Sequence, residues 1–218
     1  MGIRVLKLWG RVNSINVQKV LWVLDALEFE YCREDAGLQF TVNKSATYLE
    51  KNPNGRVPLL EDNGYQIWES HAICRYLCTK RPASVSTIKV ADRLYPVDVQ
   101  KRGQVDQWLD WTLWGINGPM VTVFRQRVRL APEQQEAARI AEAEEESRGH
   151  LAVADRWLRQ SAFLAGDALT LADIGLAPTA YRAEALGLIT AELLGVRHWM
   201  DRIRAEPGFK KWVDVPMT

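Results

Sequence analysis

Cysteine and histidine are scarce, with three of each in 218 residues. Cys32, Cys74 and Cys78 form no spaced framework of the kind that staples small extracellular domains, so a reducing, cytoplasmic setting is the expectation. His71, His150 and His198 stand far apart, with no carboxylate or cysteine at metal-ligand spacing, and no metal site is expected. Neither sign of charge prevails: the formal net charge is +1, which gives nucleic acid no basic surface to bind. No run of about 18 apolar residues offers a membrane span. No apolar leader is expected in the first residues, which Arg4, Lys7 and Arg11 interrupt. Leu6 stands where a myristoylation signal needs Ser or Thr. Repeats and low-complexity tracts are absent.

What is present is enough chain for two small domains, each with its own core. Residues 3–9 alternate polar and apolar and predict a strand. After a loop at 10–13, Val17, Val20, Leu21, Val23, Leu24 and Leu27 recur at helical spacing. A second strand is expected near 29–32 and a weaker helix over 44–51. Residues 52–77 follow. An Asn-Pro-Asn-Gly turn leads into strand-like Val57-Pro58-Leu59-Leu60, Asn63-Gly64 predicts a tight hairpin, and residues 66–68 return. Glu69-Ser70 opens a helix, with Ser70 a candidate cap. The order βαβαββα is a thioredoxin-like arrangement.

Residues 82–90, PASVSTIKV, are polar and turn-prone and change the composition. The expected division is a domain at 1–81, a linker at 82–91 and an all-helical domain at 92–218. In the last, a helix over 92–114 carries Trp108, Trp111 and Trp114, and Gly115 and Gly118-Pro119 should break or kink it. Pro132 should start a helix running to about 157. Thr170 and Asp173 have capping-box spacing and head a helix over 174–186, and a last helix spans 191–205.

Ser14 sits between the first strand and first helix. Serine is a preferred helix cap. The same place also suits a hydroxyl donor to an anion, because helix N-termini attract negative charge. The motifs decide more. The run at 52–77, with Val57-Pro58 and Glu69-Ser70, resembles the glutathione-binding half of the glutathione transferase family. Residues 14–20, SINVQKV, are similar to the helix start of its serine-type, phi- or theta-like members. Residues 163–178, FLAGDALTLADIGLAP, resemble its helical second domain, and the whole looks like a bacterial member.

The resemblance implies a transferase that joins the glutathione thiolate to a small hydrophobic electrophile, with glutathione as co-substrate and no further cofactor. It implies a homodimer. By this likeness Ser14 hydrogen-bonds the sulfur, with Asn13 a lesser candidate and Asn16 ordering the loop. Val57, before a cis Pro58, pairs its backbone with the cysteinyl part, and Glu69 and Ser70 hold the γ-glutamyl end. Lys44 takes the glycine carboxylate. Asn43 stands where the phi class has His, and Arg56 where it has Gln; Arg56 either grips a carboxylate or faces water. Trp108, Trp111, Met120 and Phe124 are candidates for the electrophile pocket, although Trp rows at this spacing also mean core packing. A glutathione-dependent lyase, isomerase or dehalogenase would share the anchoring residues. A thiol-disulfide oxidoreductase would need a cysteine after the first strand, and residues 10–16 have none. A non-catalytic binding module would tolerate losing Ser14 and Glu69, and both are present.

Overall fold

A computed structural model of the chain describes residues 5–80 and 84–217. The chain separates into two compact units, Met1–Tyr95 and Pro96–Thr218. The linker expectation therefore changes. Its residues 82 and 83 lie outside the described ones, as do the first residues of the expected 3–9 strand. From Val85 to Leu94 the chain is a helix within the first unit. Ser84 caps it by accepting from Thr87 N–H at 3.2 Å. A Ser/Thr-rich helix start has the composition of a loop, and that is why it read as one.

In the first unit, β1 (Leu6–Trp9) lies between β2 (Tyr31–Glu34) and β3 (Leu59–Asp62), with β4 (Tyr65–Trp68) at the edge. β1 runs parallel to β2 and antiparallel to β3, which pairs antiparallel with β4. Leu8 faces Leu60 across the β1–β3 ladder, and both are fully buried. The turn between β3 and β4 takes positive φ at Asn63 (51°) and Gly64 (86°), as the sequence predicts. β2 begins two residues later than expected, because Phe29 N–H is still bonded to Leu24 C=O of the preceding helix.

Three helices of this unit matter for the site. α1 (Ile15–Ala26) buries nine of its twelve residues, among them Val17, Val20, Leu21 and Leu24. Gly10, at the end of β1, has φ 155°, and a Cβ there would stand 2.4 Å from Val17 Cγ2. Only glycine lets the chain turn that close to α1. The expected 44–51 helix is a 3-10 turn, Thr41–Lys44, followed by α2 (Ala46–Lys51), capped by Ser45. α3 (Ser70–Lys80) has Ser70 as its first helical residue. The cap position is Glu69, at φ 71°, whose carbonyl accepts from Ile73 N–H at 2.9 Å. α4 (Val85–Leu94) closes the unit.

The second unit holds helices throughout. α5 (Val99–Trp111) is capped by Asp98, which accepts from the N–H groups of Gln100 and Lys101. The expected break at Gly115 and Pro119 is instead a π-type turn, Thr112–Ile116, that carries the helical path into α6 (Asn117–Phe124). A wide turn absorbs the missing proline N–H. Gly115 is required for contact: a Cβ there would meet the His150 ring at 3.0 Å.

α7 (Ala137–Leu158) starts five residues after Pro132, which opens a 3-10 turn of its own. α8 (Leu171–Ala185) begins at the Thr170–Asp173 capping box. α9 (Leu194–Ala205) starts later than expected, where Asp155 accepts from Gly195 N–H at 2.7 Å and Val196 N–H at 3.2 Å. A short α10 (Pro207–Trp212) follows.

Cys74 and Cys78 lie one turn apart on α3 and are buried, whereas Cys32 is exposed. Burial pushes the Cys74 thiol up to about 12 and raises Cys78 as well. One thiol should therefore react with Ellman's reagent in the folded protein at neutral pH, and three after denaturation. Fast reaction of a second thiol before unfolding would contradict this packing.

Candidate functional site

The site is built where the first turns of α1 and α3 meet. Ser14 precedes α1 with extended backbone, φ −89° and ψ 121°. Its carbonyl accepts from Gln18 N–H at 2.9 Å, but its hydroxyl caps nothing. The bland reading of Ser14 as a side-chain cap thus fails, and the hydroxyl is left to other work. Two residues on, Asn16 Oδ1 accepts from the Ser70 hydroxyl at 3.4 Å and from Lys19 Nζ at 3.2 Å. Lys19 also lies 3.2 Å from His71 Nε2. Asn16, Lys19, Ser70 and His71 are thereby drawn to one place, with Asn16 and Ser70 54 residues apart in sequence, and Ser14 stands two residues before Asn16.

The Val57-Pro58 peptide bond is cis. Among the described residues neither the N–H nor the C=O of Val57 pairs with another backbone group. The segment before it is pinned instead through Arg56, whose carbonyl accepts from Tyr48 Oη at 2.6 Å and from Asn52 Nδ2 at 2.9 Å. The Arg56 side chain is exposed, as are Lys44 and Glu69, while Ser70 is buried. Asn43 has a structural duty: its Nδ2 donates to Gly55 C=O at 2.6 Å and holds the 52–55 turn. One of the two N–H groups of that amide is thereby engaged within the fold.

The aromatic candidates of the second unit separate. Trp108 is buried at 5% exposure, Trp114 is 84% exposed, and Trp111 lies between. Trp108 and Trp111 border a cavity of about 390 Å³ that Gln107, Val153, Arg156, Trp157 and Gln160 complete. Trp108 stacks edge-on with Trp111 at 5.0 Å and tilts against Trp157 at 5.7 Å. Trp157 was not singled out by the sequence reading; its spacing shows no face until it meets Trp108 across the cavity. Met120 and Phe124 do not border that cavity and are buried at 2% exposure each, with the Arg182 guanidinium 3.8 Å from the Phe124 ring centre.

Among the described residues no group of three or more His, Cys, Asp and Glu is placed to hold a metal. No helix there is long and apolar enough to cross a membrane.

A four-stranded thioredoxin-like unit followed by a helical unit is the architecture of the glutathione S-transferase structures that this chain resembles. The family models for the N-terminal and C-terminal domains of glutathione S-transferase match residues 4–79 and 118–207. The chain is 32% identical to glutathione S-transferase GstB of Escherichia coli K12 over 98% of its own length and all of that protein. It is 30% identical to the probable glutathione S-transferase GSTF1 of rice, over 94% of each. In structure it is similar to the theta class glutathione S-transferase of Xanthomonas axonopodis pv. citri, solved with glutathione bound. The TM-score there is 0.90 at 33% identity, covering 99% of this chain and 100% of that one. The chain belongs to the glutathione S-transferase family, and it is a glutathione transferase.

Proposed function

We propose that this transferase binds glutathione across Val57, Glu69 and Ser70 and adds its thiolate to small hydrophobic electrophiles. The observation that carries the reading is the Ser14 hydroxyl, which stands at a helix N-terminus without capping it. Such a position favours an anion, and a hydroxyl there donates to a thiolate. The unpaired backbone of Val57 suits the cysteinyl amide of the ligand. Ser70 and the first N–H groups of α3 suit the γ-glutamyl carboxylate. Exposed Glu69 suits its ammonium, and Lys44 and Arg56, both exposed, suit the glycine carboxylate. Asn43 contributes by shaping the turn beside Lys44.

For the electrophile we assign the tryptophan-lined cavity at Trp108 and Trp111, whose indoles favour flat aromatic molecules. Met120 and Phe124, buried in their unit, then support the fold. The exposed apolar side chains Val99, Leu113, Trp114 and Val121 favour a homodimer that covers them. Two buried, unreactive thiols and one exposed free thiol agree with work in a reducing cytoplasm.

Calorimetric titration with glutathione, followed by turnover of an aromatic halide, tests the reading. Ser70→Ala should weaken glutathione by about 1.5–3 kcal/mol, the worth of a hydrogen bond to a charged group. Unchanged affinity in the folded variant would remove Ser70 from the site.

A further inference from the structure

Lys19 is 1% exposed in the second turn of α1, a depth at which lysine is seldom found. Burying an ammonium is costly unless hydrogen bonds and charge around it compensate. Its Nζ lies 3.2 Å from Asn16 Oδ1 and 3.2 Å from His71 Nε2. An ammonium has only donors, so towards Lys19 both the Asn16 oxygen and His71 Nε2 are on the accepting side. The same Asn16 oxygen accepts the Ser70 hydroxyl. One buried cation thus holds Asn16 in the first turn of α1, and through it Ser70, while gripping the next residue of α3 directly.

We infer that Lys19 is a positioning residue for the anionic γ-glutamyl end of glutathione, an inference that rests on the proposed binding site. It orients Asn16 and His71 so that the first turns of α1 and α3 present their N–H groups together. Its charge adds to the positive ends of the two helices, which point the same way electrostatically. Low dielectric around a buried group keeps that charge effective over a longer range than a surface lysine would reach. When the ligand carboxylate arrives, the Ser70 hydroxyl can turn to it, because Lys19 still occupies the Asn16 oxygen.

Replacement by a neutral side chain separates this role from packing. A buried charge exchanged for an apolar group of similar volume is often neutral or stabilising for the fold. Lys19→Met should melt at or above the wild-type temperature yet bind glutathione about tenfold more weakly. S-methylglutathione, which lacks the thiol, should weaken by the same factor, since the charge acts at the carboxylate end. Lys19→Arg should recover most of the affinity. Lys19→Gln, which can still hydrogen-bond but is uncharged, should behave like Lys19→Met and serves if the methionine variant does not fold.

Affinities within about twofold of wild type in either folded neutral variant would overturn the inference. A chain that folds with neither replacement would make Lys19 a folding residue and overturn it too. If wild type itself binds no glutathione, the proposed function fails; if wild type binds and the neutral variants bind equally, only the role of Lys19 fails.

Discussion

Asp173→Ala is expected to cost about 3–5 kcal/mol of stability, more than an ordinary helix cap, while leaving turnover per folded molecule nearly intact. The carboxylate is completely buried and serves four donors. Oδ1 accepts from Leu164 N–H and Trp199 Nε1, each at 2.9 Å. Oδ2 accepts from Thr170 N–H at 2.9 Å and Thr170 Oγ1 at 3.1 Å. Cap loss alone costs about 0.5–2 kcal/mol. Alanine would in addition orphan buried N–H groups in three parts of the second unit, and each costs about 1–3 kcal/mol if water cannot reach it.

Burial raises the Asp173 carboxyl above its ordinary value in spite of those hydrogen bonds. The folded state then holds this proton more tightly than the unfolded chain. This group's contribution is complete below the unfolded value and is lost as pH rises through the folded one. Denaturant titrations of both chains at several pH values give the cost and this pH dependence. A variant of normal stability with abolished turnover would move Asp173 from the fold into the chemistry.

The same residue shows how far the sequence reaches. Thr170 and Asp173 are three apart, and local spacing exposes their reciprocal bonds. Trp199 is 26 residues away and Leu164 contributes only backbone, so neither leaves a trace in a local pattern. The β3–β4 hairpin was legible because Asn-Gly has few other uses between apolar runs. The Trp108–Trp114 row was not, since a helical period assumes one turn geometry throughout. The π-type turn at Thr112–Ile116 inserts extra arc and leaves Trp114 at 84% exposure while Trp108 stays buried.

Of the candidate site, residues in short motifs were legible, while charges held by tertiary packing were not. Ser14, Val57, Pro58, Glu69 and Ser70 could be named as candidates because their motifs resemble the family's. Lys19 reads in sequence as one of four polar residues, with Asn16, Gln18 and Asp25, in a largely apolar helix, where solvent is the usual neighbour of a lysine. Only α3 laid against α1 makes it a buried cation. Asn43 was named for its position beside Lys44, and the packing adds a bond from its amide to Gly55 that the sequence did not announce.

Ser14→Ala should shift the thiol pKa of bound glutathione up by about one to two units, toward the free value of about 8.5. A hydrogen bond to a charged acceptor is worth about 1.5–3 kcal/mol, and each pKa unit corresponds to about 1.36 kcal/mol. The donor favours the thiolate, so its loss leaves less thiolate at neutral pH. Turnover there should fall about 10- to 100-fold and partly recover in alkali, where the thiol ionises unaided. Because the Ser14 hydroxyl caps no backbone N–H, the substitution should spare the fold. Glutathione affinity should also change little, since the anchors proposed for the ligand's other parts, Val57, Glu69, Ser70 and Lys44, are untouched. Ultraviolet absorbance of the thiolate, titrated against pH with glutathione bound, reads the shift directly. Superimposable curves for wild type and Ser14→Ala would leave Ser14 as the plain start of α1, and the sulfur's donor would then be sought at Asn13 or Arg11.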